Sequence, residues 1–130
     1  MKNTVRVYSI ADDADTLITP HFKVKEFACK DGAVPVFVDS DLLWLLEGVR
    51  MHYGAPVIIN SGYRTPSYNA KVGGKAHSMH LFGMAADIVV KGVSPAKVYA
   101  YLNGAFPNSL GLGKYDSFTH VDVRETKARW

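Results

Sequence analysis

The hydrophobic and polar positions of this chain follow two periods, one typical of helices and one typical of strands. Apolar residues recur at helical spacing between Asp39, which can cap a helix, and Gly54, which can end it. A second helix is predicted between Ser94, which is followed by a proline, and Gly104. The first of these helices has a clear apolar face, which we expect to lie in the core.

Runs of β-branched and apolar residues predict the strands. Residues 57–60 and 86–91 are such runs, and we expect both to form strands. Residues 110–115 and 118–123 flank an Asp-Ser pair and predict a β-hairpin. The order helix, strand, long loop, strand, helix, hairpin predicts a small α+β fold, with a largely antiparallel sheet packed with helices.

Other segments have weaker patterns. Residues 1–18 are polar and predict an N-terminal arm, with an edge strand at residues 5–8. Residues 22–27 fit either a short strand or a one-turn helix, because their periodicity does not decide between the two. Residues 66–72 fit a short helix that a Gly-Gly pair ends. At 130 residues the whole chain is predicted to be a single domain, residues 1–130.

Composition and charge exclude several classes of protein. The chain is 48% hydrophobic and 21% charged, as in ordinary globular proteins, and no apolar run is long enough to insert in a membrane. The formal charge is +3, but Lys and Arg are scattered, which argues against a nucleic-acid partner. The single cysteine, Cys29, excludes an internal disulfide and is predicted to be buried. We expect a monomer.

One long connection, residues 61–87, contains the candidate chemistry. Long connections inside a compact domain are usually either functional or disordered. His80 and Asp87 lie at the end of this one, and His120 lies in the predicted hairpin. Two histidines and a carboxylate can hold one zinc ion. Spacing alone leaves a second interpretation open, in which these are polar residues that happen to lie near turns.

A set of motifs resembles a known enzyme family. Residues 61–66 read Ser-Gly-Tyr-Arg-Thr-Pro, residues 78–87 fit Ser-x-His-x-x-Gly-x-Ala-x-Asp, and residues 120–122 read His-Val-Asp. Together they resemble the D-Ala-D-Ala carboxypeptidase branch of zinc peptidases. This superfamily also includes phage L-alanyl-D-glutamate endolysins, and hedgehog signalling domains share its fold. The resemblance covers roughly residues 20–130.

The resemblance implies a role for individual residues. It implies that His80, Asp87 and His120 hold a catalytic Zn²⁺ ion. It also implies that Arg64 binds a carboxylate or carbonyl of a peptide substrate, which suits a planar guanidinium. Ser78 is expected either to donate a hydrogen bond to the substrate or to fix the loop.

The chain departs from the family at the general base. Many members carry Glu or Asp three residues before the final histidine, and this chain has Ser117 there. Two acids lie nearby, Asp116 and Asp122. Because alternate residues of a strand share a face, Asp122 is predicted to lie beside His120 and to act as the catalytic base. The other role open to Asp122 is to orient a metal ligand.

The function implied is hydrolysis of an amide bond in peptidoglycan stem peptides or cross-links by zinc-activated water. The alternative is a catalytically weak or inactive zinc-containing module that binds the cell wall or a protein. The N-terminus has no continuous apolar segment and carries acids, so it does not resemble a secretory signal peptide. We therefore expect synthesis in the cytoplasm and action at the bacterial wall, as for a phage or prophage lysin.

Overall fold

The central feature of the fold is a five-stranded sheet in the order β5-β6-β8-β7-β9. The computed structural model describes residues 4–130. All neighbouring strands of this sheet are antiparallel except β7 and β9, which are parallel. The strands of the sheet are β5 (Val57–Ser61), β6 (Ala85–Val90), β7 (Gly111–Lys114), β8 (Thr119–Asp122) and β9 (Ala128–Arg129).

Two longer helices cover the sheet, and both begin where the sequence predicts. The first also ends as predicted, whereas the second continues through Gly104, its predicted end, to Ala105. Helix α2 (Ser40–Tyr53) is capped by the Asp39 side chain, which accepts from a main-chain N–H, and it ends at Gly54 in the left-handed conformation. Helix α4 (Pro95–Ala105) is capped by Ser94. The shorter helices are α1 (Ile10–Asp13), α3 (Pro66–Lys71) and two 3₁₀ helices (Val24–Phe27 and Met79–Phe82).

The N-terminal part of the chain is more regular than its polar composition indicates. Strand β1 (Val5–Ser9) includes the predicted edge strand and pairs antiparallel with β4 (Pro35–Asp39), a strand that the sequence did not predict. Strands β2 (Leu17–Thr19) and β3 (Phe22–Lys23) form a second small pair. Residues 22–27 contain both elements that the sequence left open, a strand and then a 3₁₀ helix. Residues 1–3 of the predicted arm lie outside the described residues.

The structure confirms the predicted α+β class and the largely antiparallel sheet. The core lies where α2 and α4 pack on the sheet, and it continues under β4 and the first 3₁₀ helix. Strand β6 is almost wholly buried because it lies inside the sheet with β5 and β8 as neighbours. Among the described residues, no helix has the length and apolar character needed to cross a membrane.

Candidate metal centre

Three separate elements bring the predicted ligands together. His80 lies in the second 3₁₀ helix, Asp87 lies in β6 and His120 lies in β8. Asp87 and His120 are direct partners across the β6–β8 pair, so the sheet itself fixes their separation. All three residues are buried, and one ligand atom from each lies within 4.8 Å of the others.

Gly83 lets the chain turn between His80 and the strand that carries Asp87. Its φ is +70°, a left-handed conformation that glycine adopts without a steric penalty. A Cβ at this position would lie 2.3 Å from the carbonyl oxygen of Phe37, so the site also requires the absence of a side chain here. Steric crowding therefore explains why the position between the two ligands is a glycine.

The His80 ring is held in one tautomer by the main chain. Its Nδ1 lies 2.7 Å from the carbonyl oxygen of Gly62, and a carbonyl can only accept, so Nδ1 carries the proton. Nε2 is therefore the nitrogen that faces the site, and it lies 3.3 Å from Oδ1 of Asp87. This is the arrangement in which a histidine can give its free nitrogen to a metal ion.

The His120 ring is held from behind by Asp122. Nδ1 of His120 lies 3.0 Å from Oδ1 of Asp87, and Nε2 lies 2.8 Å from Oδ2 of Asp122. The Asp122 side chain is 0% exposed and also accepts from the guanidinium of Arg124 at 2.7 and 2.8 Å. Gly111 makes room for this carboxylate, since a Cβ there would lie 2.3 Å from Oδ2 of Asp122.

These contacts leave one nitrogen of each imidazole directed at Asp87. The other nitrogen of His80 is engaged by a carbonyl, and that of His120 is engaged by a carboxylate. Two imidazoles and one carboxylate are a donor set typical of zinc sites that keep a further position open. The residues present therefore fit a bound divalent metal ion.

Electrostatics keep both carboxylates of the site ionised. Burial raises the pKa of Asp87, but hydrogen bonds with His120 and His80 outweigh it and hold that pKa well below its usual range. Burial also raises the pKa of Asp122, but hydrogen bonds with His120 and Arg124 lower it to about 2. Burial lowers the pKa of His120, while its two carboxylate partners raise it above its ordinary value overall. The site is therefore prepared to hold positive charge.

Arg64 lies against the Asp87 side of the site. Its guanidinium donates to Oδ2 of Asp87 at 3.2 Å, to Oγ of Ser61 at 3.0 Å and to Oδ1 of Asn69 at 3.3 Å. Its main-chain N–H donates to the carbonyl of His80, which ties the two loop ends together. The side chain is 15% exposed and lines the cleft.

Ser78 has a local structural contact. Its Oγ accepts from the main-chain N–H of His80 at 3.2 Å and so caps the second 3₁₀ helix. This is the loop-fixing role of the two that the sequence left open. Ser78 also lines the cleft, so the substrate-binding role stays a prediction.

A cleft of about 760 Å³ opens onto the candidate ligands. Sequence reasoning missed the residues at its outer wall, above all Trp130. The indole lies 4.9 Å from the His120 ring and donates from Nε1 to the Tyr115 hydroxyl at 3.0 Å. A lone apolar residue at the end of a polar tail was the signal that could have identified it.

Ser117 lies outside the cleft, and Asp122 lies behind the His120 ring. Ser117 and Asp116 are exposed in the turn between β7 and β8 and do not line the cleft. Asp122 contacts the edge of the His120 ring opposite to Asp87, and both of its oxygens are engaged. Of the two roles open to Asp122, this geometry favours orientation of His120.

Comparison with known proteins relates this chain to a peptidase family and to a characterised enzyme. The family described as peptidase M15 matches residues 20–122, a stretch that contains all three candidate ligands. The chain is also 34% identical over 83 residues to a zinc D-Ala-D-Ala carboxypeptidase from Streptomyces albus G. That alignment covers 61% of this chain but only 32% of the relative. On the extent of the family match, this chain belongs to the peptidase M15 family.

Proposed function

We propose that this protein is a zinc peptidase that hydrolyses an amide bond in the peptides of bacterial peptidoglycan. The observation that carries the proposal is the convergence of His80, Asp87 and His120, with the second nitrogen of each imidazole already engaged. Membership of a peptidase family and likeness to a zinc D-Ala-D-Ala carboxypeptidase support the same chemistry.

In this proposal the protein holds both histidine ligands in the orientation that metal binding requires. Zinc, when bound by the three ligands, acts as a Lewis acid and lowers the pKa of a water molecule. Asp122 keeps the proton of His120 on Nε2, and the Gly62 carbonyl keeps the proton of His80 on Nδ1. Both ligand nitrogens are thus available without a change of tautomer.

Arg64 is proposed to bind the substrate. A guanidinium has five N–H groups, and three of them are used in contacts with Ser61, Asn69 and Asp87. The remaining two can donate to a carbonyl or carboxylate of a peptide in the cleft. Because the three internal contacts fix its plane, Arg64 would present these donors in one orientation.

The alternative is a zinc-containing wall-binding module with weak or no turnover. One observation favours it, namely that Asp87 is the one carboxylate side chain lining the cleft within residues 4–130. No side chain is assigned as general base, since Ser117 is remote and Asp122 is engaged behind His120. The endolysin-like interpretation, the phage origin and the monomeric state rest on the sequence alone.

Digestion of purified peptidoglycan separates the two functions. We expect the zinc-loaded protein to release peptide fragments that mass spectrometry identifies, and the cleaved bond then distinguishes a carboxypeptidase from an endopeptidase. His80→Ala should release none, because it removes a ligand. His52→Ala is the matched control, since this exposed histidine stacks on Tyr101 and does not line the cleft. Equal release by the wild type and His80→Ala would refute the enzyme, and wall binding without release would favour the module.

A further inference from the structure

Positive side chains dominate the cleft beyond the candidate metal centre. Its described lining includes Arg64, Lys75, Arg124 and Arg129, whereas Asp87 is the one carboxylate side chain there. Asp87 is itself a candidate metal ligand, so its charge would be offset by the ion. A cleft lined by one sign of charge concentrates ligands of the opposite sign. The cleft is therefore suited to an anionic ligand.

Most of these cations are already engaged by the protein. Arg124 donates to the Asp122 carboxylate, and Arg129 donates to three main-chain carbonyls. Arg64 has the three internal contacts given above. Lys75 differs from them, because no acid or hydrogen-bond acceptor within residues 4–130 contacts its Nζ. Its charge is available to a ligand.

The main chain of Lys75 is fixed in place. Its carbonyl accepts from Nδ2 of Asn69 at 2.8 Å and from the N–H of Ser78 at 3.0 Å. Asn69 is 3% exposed, and its main-chain carbonyl accepts from the N–H of Gly74 at 2.8 Å. A Cβ at Gly74 would lie 2.0 Å from Oδ1 of Asn69, so the loop closes tightly on this buried amide. Lys75 therefore projects from an anchored position.

The Lys75 ammonium lies against a ring that is also anchored. Its Nζ is 5.7 Å from the centroid of the Trp130 ring, within cation–π range. The Trp130 main chain donates to Leu112 at 3.0 Å and accepts from Lys114 at 2.7 Å. The same indole packs on the His120 ring. The Lys75 ammonium thus contacts the indole that packs on His120, whereas the Arg64 guanidinium contacts Asp87.

We propose that Lys75, held against Trp130, is a second carboxylate-binding position in this cleft. The substrate class that fits is a peptide with two free carboxylates, one bound by Arg64 and one by Lys75. The inference rests on the proposed function, since it concerns the same cleft. An ammonium suits the second position because it binds a carboxylate as a compact point charge, without the fixed approach that a guanidinium imposes.

A binding experiment on the zinc-loaded protein tests this proposal. The probes are one synthetic peptide with two free carboxylates and two versions of it, each with one carboxylate converted to an amide. We expect Lys75→Met to weaken binding of the two-carboxylate peptide about five-fold, as for a partly exposed ion pair. It should leave unchanged the affinity of one amidated version, the one that lacks the group Lys75 binds. Lys75→Arg should retain most of the affinity.

The control variant is Lys71→Met, because Lys71 is an exposed lysine in the last turn of α3 that does not line the cleft. An equal effect of Lys75→Met on all three peptides, no effect on any, or no measurable binding would overturn the proposal. Calorimetry detects binding even when the peptide is not cleaved. Binding that depends on the second carboxylate, without cleavage, would therefore refute the peptidase and support Lys75 as a carboxylate-binding position. Cleavage at a rate that Lys75→Met does not change would support the peptidase and refute the role of Lys75.

Discussion

At the scale of single residues, the two histidines of the site are oriented by different partners. His80 donates to a neutral carbonyl, whereas His120 donates to a buried carboxylate that Arg124 also holds. A carboxylate partner increases the basicity of a ligating histidine more than a carbonyl does. Strand alternation correctly predicted that His120 and Asp122 share a face. It could not show which edge of the ring Asp122 contacts, because that depends on Asp87 across the β6–β8 pair.

Asp122→Asn tests the orienting role. We expect it to weaken zinc affinity about 10- to 100-fold, because the amide no longer stabilises the His120 tautomer as an anion does. Competition with a chromophoric chelator measures this affinity, after circular dichroism has shown that the variant is folded. Asp116→Asn is the control, because Asp116 is exposed in the turn between β7 and β8. Unchanged zinc affinity together with lost turnover would instead support the catalytic base predicted from the sequence.

At the scale of elements, local patterns were predictable and remote pairings were not. The helices α2 and α4 were predicted from their caps and their hydrophobic periodicity, and both signals depend only on residues close together in the sequence. Strand β4 begins with Pro35 and pairs with a segment near the N-terminus, so nothing local identified it. Strand β9 is only two residues long and joins β7 in parallel. Its pairing depends on the tertiary fold.

One contact between elements gives a pH-dependent prediction. Glu47 of α2 accepts from the main-chain N–H of His21 at 2.9 Å, from its Nδ1 at 2.8 Å and from Thr19 at 3.0 Å. Burial raises the pKa of Glu47, but hydrogen bonds, chiefly those from His21, lower it below its ordinary value overall. A lowered carboxyl pKa contributes stability above the unfolded-state pKa, and this contribution is lost as pH falls through the folded-state pKa.

Glu47→Gln should therefore lower the free energy of unfolding by about 1 kcal/mol near neutral pH. The difference from wild type should shrink as the pH is lowered below the ordinary glutamate pKa, because wild type then loses the same charge. Urea denaturation across this pH range measures both values. Glu125→Gln, at an exposed position near the C-terminus, provides the control. A difference that stays constant down to acid pH would show that the Glu47 charge does not stabilise the β2–β3 pair on α2.

At the scale of the whole molecule, the site depends on segments that are far apart in the chain. The motifs predicted the ligands because each lies in a short pattern, at His80, Asp87 and His120. The outer wall was not predictable in the same way. Trp130 reaches His120 only because the chain end pairs with β7, and Gly113 leaves the space for its indole. A Cβ at Gly113 would lie 2.6 Å from the indole Nε1.

A ligand set drawn from three elements should couple metal binding to global stability. An ion that binds only the folded state stabilises it by about 2.7 kcal/mol at 100 times its Kd, which is about 10 °C in Tm for a chain of this size. We expect zinc to raise Tm by this order in wild type and in His52→Ala, and a chelator to reverse it. His80→Ala should lower Tm without zinc, because it leaves the Gly62 carbonyl unpaired, and should lose the zinc-dependent increment. The same increment in His80→Ala would place the stabilising ion elsewhere in the molecule, whereas its selective loss would tie the fold's stability to this centre.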